Sequence, residues 1–457
     1  MFLMLIPVAI SILSCTDDTA SVAPGYDATY GTGIAPEVVS IFPLPGSIDN
    51  DTIDTIRVTY DMPITVTPQH SVKVNTWYAD TAFAEGNTLV IPYNTYGNTT
   101  YNVTIKSPTV HNGTYAFASD CQFSFTTRIY NNFDPTPFDL DSMLCNPDAT
   151  AEARAVYDYL ISQFGKKTLS ATMSEPTWDM TWPEQLHTST GLYPAIQTVD
   201  YLHLRWSRPM GNANWIDYTD TSLLEAWAAE GGLVAAGWHW NVPKTQADIN
   251  NLSNYAFYVD DNTFGAKNAL KSSRWEHQQI NEDLAVMASH LLSLQEKGIA
   301  VLWRPLHEAS GKWFWWGTDG AAQYKKLWQY VWNYFHDVGV NNLIWVWTCQ
   351  GDDANWYPGD EYVDVVGCDV YDTQDHQSRK DKWEQLIAAT KGHKILAMTE
   401  CGQIPDLGNT FSEGDVWSWI MPWNGDYMAE PYNSDTFFQN WLQSPYVVTR
   451  DELPSFK

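Results

Sequence analysis

Eight short, almost wholly apolar runs recur between residues 167 and 423: "KTLSATMS", "YPAIQTVDY", "GLVAAGWHW", "GIAVLWRPLHE", "NNLIWVWTC", "YVDVVGCDVY", "HKILAMTE" and "DVWSWIMPW". Half-buried strands alternate polar and apolar residues, whereas strands covered on both faces read as continuous runs of this kind. Segments with helical spacing separate several of them, among them "EARAVYDYLISQF", "TSLLEAWAAEG", residues 275–297, "AAQYKKLWQYVWNYFHDVG" and "DKWEQLIAATKG". Parallel strands need such crossovers. Eight strand units in about 320 residues predict an α/β chain whose residues 131–457 form a (β/α)8 barrel, the TIM-barrel architecture.

The text before residue 131 has another rhythm. From 36 to 130, short alternating runs ("DTIRVTYD", "NTLVIPY", "TYNVTIKS", "CQFSFTT") lie between Gly, Asn and Pro. That pattern predicts a small all-β sandwich, and it resembles bacterial Ig-like domains, which implies a spacer. Residues 16–35 read as a flexible tether. Residues 1–15 are apolar through "ILSC" and too short to span a bilayer, which takes ~20 residues. They read as a lipoprotein signal with Cys15 as the lipidated residue, which implies a cell-surface protein held at a bacterial outer membrane. Of the other cysteines, Cys121 with Cys145 is the one candidate pair.

With 25 basic and 54 acidic side chains, the net charge is −29. That field repels nucleic acid and any anionic substrate, so a neutral ligand is favoured. The 23 tryptophans exceed what a core requires and offer flat apolar faces.

The fourth apolar run continues into "VLWRPLHEASGKWFWWG", residues 301–317. A packed core has no use for Glu308, and a solvated loop has none for Trp313, Trp315 and Trp316. Hydrolysis of a glycosidic bond uses two facing carboxyl groups, one a proton donor and the other a nucleophile or base. Glu308 and Glu400 close the fourth and seventh runs, about three βα units of roughly thirty residues apart. That spacing sets them opposite one another at the C-terminal mouth, where barrel enzymes carry their chemistry. Aromatic walls desolvate Glu308 and favour its protonated form. Arg304 and Tyr371 are candidate donors to Glu400. His307 holds one of the glutamates or touches a sugar. Asp369, on the same strand face as Tyr371, bonds a sugar hydroxyl or partners a neighbouring strand. His239 closes the third run, and no second His or Cys stands at the spacing that would make it a metal ligand. Trp178, Trp313, Trp316 and Trp423 are candidate platforms for the C–H face of a pyranose, although Trp313, Trp315 and Trp316 also suit a plug in the barrel top. No metal or other cofactor is called for.

"RPLHEASGKWFWWG", "MTECG", "GWHWN" and "GCDVYD" together resemble glycoside hydrolase family 26, best known for β-mannanases, over about residues 140–457. The resemblance implies that Glu308 is the acid/base and Glu400 the nucleophile of a retaining reaction. It also implies that His307, Asp369, Tyr371 and Trp313 line the catalytic centre, with His239 and Trp423 touching substrate. Where some mannanases carry an arginine after the eighth strand, this chain has Asn424. The expected protein is a monomeric endo-β-1,4-mannanase acting on a neutral mannan. The alternatives are a β-glycanase on mixed-linkage glucan or β-1,3-xylan, and a surface glycan-binding lipoprotein without activity.

Overall fold

The computed structural model describes residues 33–456 except 49, 76, 80, 96, 98, 207–215, 351–352 and 372–374. Cys15, the signal and most of the tether lie outside the described residues. The chain divides between Tyr130 and Asn131 into two compact units.

The first unit holds two antiparallel four-stranded sheets. One orders its strands Val38–Phe42, Thr55–Tyr60, Thr88–Pro92, Phe83–Glu85, and the other Cys121–Thr126, Thr100–Lys106, Ser71–Val74, Trp77–Tyr78. Alternation decides which face is buried: Val103 and Ile105 point inward while Asn102 and Lys106 face water. Ile56, Val58, Leu89 and Ile91 from the first sheet share one core with Val72, Val74, Val103 and Phe125 from the second.

The second unit is a closed barrel of eight parallel strands: β1 (Thr168–Met173), β2 (Ile196–Asp200), β3 (Leu233–Trp238), β4 (Val301–Pro305), β5 (Leu343–Cys349), β6 (Val365–Val370), β7 (Ile395–Cys401) and β8 (Trp419–Pro422). The ring closes where β1 pairs with both β2 and β8. All eight apolar runs form strands, because each is covered by helices outside and by side chains inside. A further two-residue strand, Val447–Val448, adds to β1 and was not apparent in the sequence. The interior is filled; beside Arg304 it leaves a cavity of only ≈ 10 Å³. Crossover helices present one apolar stripe to the strands, and in Ala321–Asp337 that stripe is Tyr324, Leu327, Trp328, Val331 and Phe335.

None of Cys121, Cys145, Cys349, Cys368 and Cys401 is in a disulfide, which corrects the candidate Cys121–Cys145 pair. Cys349, Cys368 and Cys401 are buried on neighbouring strands and pack as small hydrophobes. No helix among the described residues is long and apolar enough to cross a membrane.

Phe335 is fully buried, edge-on to Trp303 of β4. Phe335→Ala is expected to destabilise the barrel unit by about 3–5 kcal/mol, read as a lower denaturant midpoint at an unchanged slope.

Candidate active site

Three carboxyl groups meet at the barrel mouth. Glu308 follows β4, Asp369 lies on β6 and Glu400 on β7, and one oxygen of each lies within 4.8 Å of the other two. A register shift brings the last two together: Cys368 pairs with Met398, but Asp369 pairs with Glu400, leaving Thr399 as the extra residue of a bulge. Bulges of this kind re-aim side chains. The Thr399 hydroxyl then bonds Asp369 at 2.7 Å.

Arg304 rises from β4 between the two strand carboxylates. Its guanidinium donates to Asp369 at 3.0 Å and also to Glu400. The second oxygen of Glu400 accepts the Tyr371 hydroxyl at 2.7 Å. With donors on both oxygens, Glu400 is surrounded as an ionised carboxylate requires. Asp369 thus accepts from Arg304 and Thr399 and also shares a hydrogen bond with Glu308. These carboxylates are spaced closely enough to ligate a cation, and the single positive charge of Arg304 already bridges two of them.

Glu308 is set differently. It is 8% exposed, its Oε2 accepts the Trp313 indole N–H at 3.0 Å, and its Oε1 accepts the Gln350 amide N–H. Burial, and then the negative charge of Asp369, raise its pKa from 4.5 to about 8. One glutamate thus favours its acid form while the other is held by a cation and a phenol, the separation that acid/base chemistry uses.

The backbone presenting Glu308 is bent sharply. Leu306 and Glu308 both adopt left-handed φ, at 52° and 54°, which costs of order 1–3 kcal/mol for a residue with a side chain. The Tyr324 hydroxyl pins the Leu306 carbonyl at 3.1 Å, and the Trp316 indole pins that of His307 at 2.7 Å. Gly317 is required because a Cβ there would lie 2.0 Å from the Ala309 carbonyl oxygen.

His307 is buried and contacts neither glutamate by hydrogen bond; its Nε2 faces His239 Nε2 at 3.1 Å. Burial, with Arg304 and His239 nearby, keeps it neutral. His239 in turn is held by Asp200, whose carboxylate takes the ring Nδ1 at 2.7 Å and the backbone N–H at 3.0 Å. The two imidazole rings share one proton across their contact, one donating to the other. Gly237 makes room, since a Cβ there would sit 2.8 Å from the Asp200 carboxylate.

Trp313 and Tyr371 remain partly exposed at this mouth, at 37% and 38%, and Trp423 stands edge-on to His239 at 6.0 Å. Two expected platforms need correction. Trp316 is fully buried against Phe314, with its N–H committed to the backbone. Trp178 is buried between Tyr201 and Tyr218 and donates to the Asp200 carbonyl at 2.7 Å. Neither indole has a free face for a sugar. Asn424 is tied to the Ser174 carbonyl at 2.7 Å. Sequence reasoning missed Asp200, Gln350 and Thr399. The first two carry the same signal as Glu400, a polar residue closing an apolar run.

Arg304→Met is expected to leave Asp369 and Glu400 facing each other uncompensated. Losing one partner of a buried ion cluster costs about 3–5 kcal/mol, which thermal and denaturant unfolding at neutral pH would register. An unchanged melting temperature would contradict this account.

Comparison with known proteins accords with this geometry. The family described as Glycosyl hydrolase family 26 matches residues 145–452. A mannan endo-1,4-β-mannosidase of Thermothelomyces thermophilus is 35% identical over 70% of this chain and 64% of its own length. Mannan endo-1,4-β-mannosidase A of Piromyces is 32% identical over 69% and 51%. The chain thus spans half to two thirds of these curated relatives. Among solved structures, the family 26 domain of a Prevotella bryantii endo-β-mannanase/endo-β-glucanase is 33% identical with a TM-score of 0.62, covering 68% of this chain and 99% of that one. A β-mannanase from a symbiotic protist of the termite Reticulitermes speratus, complexed with gluco-manno-oligosaccharide, is 36% identical with a TM-score of 0.61, covering 70% and 99%. With the matched segment spanning the whole barrel and both glutamates, the chain belongs to glycosyl hydrolase family 26.

Proposed function

We propose that the chain is a retaining endo-β-1,4-mannanase acting on neutral mannans. The observation that carries this reading is the pair of facing glutamates with oxygens within 4.8 Å, Glu308 buried with its pKa raised and Glu400 bonded by Arg304 and Tyr371. Retaining enzymes set their carboxyl groups about 5–5.5 Å apart, whereas inverting ones leave room for a water. Glu308, kept protonated by burial, gives its proton to the glycosidic oxygen as the C–O bond breaks. Glu400 attacks the anomeric carbon and forms a glycosyl ester. Glu308, now a carboxylate, takes a proton from the water that releases the sugar.

Arg304 and Tyr371 hold the Glu400 carboxylate in line for attack. Trp313, Trp423 and His239 supply the walls against which a pyranose would lie. The names of the relatives favour mannan over other β-glycans. The same reading makes the protein a monomeric lipoprotein anchored through Cys15 to an outer membrane, with the N-terminal unit as an Ig-like spacer.

Chromatography of products from glucomannan, galactomannan, lichenan and xylan tests the substrate class; release of manno-oligosaccharides from the first two is expected, and cleavage of only lichenan or xylan would refute it. Glu308→Ala is expected to lose about 10²–10⁴-fold in kcat on the polysaccharide, while Glu400→Ala abolishes turnover and keeps binding. Because Glu308 must start protonated, kcat/KM is expected to fall as pH rises through about 8. An alkaline limb below pH 6 would contradict the assignment of the acid.

A further inference from the structure

We propose that Gln350 is a positioning residue for the acid/base: its amide N–H stabilises Glu308 as the carboxylate that deglycosylation needs. The proposal rests on the retaining reading above.

Gln350 directly follows the last residue of β5, and its side chain donates to Glu308 Oε1. It is held from two sides. Its backbone N–H donates to Asp353 Oδ2 at 2.6 Å, and the same oxygen accepts the Ser310 hydroxyl at 2.5 Å. Asp353 therefore clamps the start of the loop after β5 to the 309–311 turn that leaves Glu308. The amide and its acceptor are fixed relative to one another through this single carboxylate.

The groups around Glu308 pull in opposite directions. Asp369 on β6 carries like charge and favours the acid, while Arg304 on β4 and the Trp313 N–H favour the carboxylate. Glu400 on β7 lies within 4.8 Å, and Tyr371, beyond β6, is spent on Glu400. The Arg304 guanidinium is occupied by Asp369 and Glu400, and the Trp313 N–H reaches only Oε2. The donor at Oε1 is Gln350. In deglycosylation water oxygen bonds to the anomeric carbon, the ester bond to Glu400 breaks with its electron pair going to Glu400, and the water proton passes to Glu308. A donor on Oε1 holds that carboxylate ionised and orients its other oxygen.

Gln350→Met keeps the length of the side chain and removes the donor; Gln350→Glu replaces the donor with an acceptor. Both are to be assayed on mannan and on an aryl β-mannobioside with a dinitrophenyl leaving group, whose departure needs no acid. Two limbs are expected to move to higher pH in both variants, by roughly half to one pH unit. They are the alkaline limb of kcat/KM on mannan and the acidic limb of kcat on the aryl glycoside. Azide, a nucleophile that needs no base, is expected to raise kcat of Gln350→Met on the aryl glycoside. A uniform drop in both parameters with unmoved limbs and no azide rescue would mean a structural role only and overturn the proposal, as would wild-type behaviour. A wild-type chain inert on every glycoside would remove the retaining reading itself, an outcome distinct from both.

Discussion

The Arg304 guanidinium bridging Asp369 and Glu400 is the interaction on which the rest of the site depends. Three carboxyl groups within 4.8 Å of one another, all nearly excluded from water, would not stay ionised together. One cation, donating to two of them, lets Glu400 remain a carboxylate inside the barrel. The third group, Glu308, has no share in that bridge; burial and the charge of Asp369 outweigh the pull of Arg304 and the Trp313 N–H on it. The division of labour between the two glutamates therefore follows from which strand carries the arginine and how far its fork reaches. Asp369 is as much a part of this device as the glutamates, because it anchors the side of the guanidinium that does not touch Glu400.

Much of this was legible in the sequence, and what was not has a physical cause. The eight strands could be read because a barrel strand is covered on both faces and must be apolar nearly throughout. Glu308 and Glu400 could be read because a carboxylate closing such a run has no packing purpose. The donor roles of Arg304 and Tyr371 followed from the same logic. The bulge at Thr399 could not be read, since one inserted residue leaves no trace in composition while changing which side chains face each other. Trp316 and Trp178 were misread for a related reason: an indole near a carboxylate has the same sequence signature whether it stacks on a sugar or bonds a backbone carbonyl. The two-residue strand Val447–Val448 is too short for any periodicity to show.

Asp200 and Gln350 mark the limit more sharply. Each closes an apolar run, as Glu400 does, yet neither has a neighbouring motif to single it out. Their importance lies in what they touch. Asp200 fixes the His239 ring, His239 faces His307, and His307 immediately precedes Glu308. His307, kept neutral by burial, adds polarity to the mouth without adding a titrating charge beside Glu308. That matters because any fixed cation there would pull the Glu308 proton preference back towards an ordinary carboxyl.

The left-handed backbone at Leu306 and Glu308 completes the argument. β4 ends at Pro305, and Glu308 is presented from the bend that follows it. Leu306 and Glu308 both take left-handed φ in that bend, a geometry unfavourable for side chains with a Cβ. It persists because the carbonyls on either side of the bend, Leu306 and His307, each receive a buried donor, one from the Tyr324 hydroxyl and one from the Trp316 indole. The aromatic-rich "KWFWWG" segment thus has two uses. Trp313 lies open at the mouth and bonds Glu308, while Trp316 works from below to hold the strained peptide in place. Aromatic crowding beside Glu308 is as much the support of a bent backbone as the wall of a sugar site.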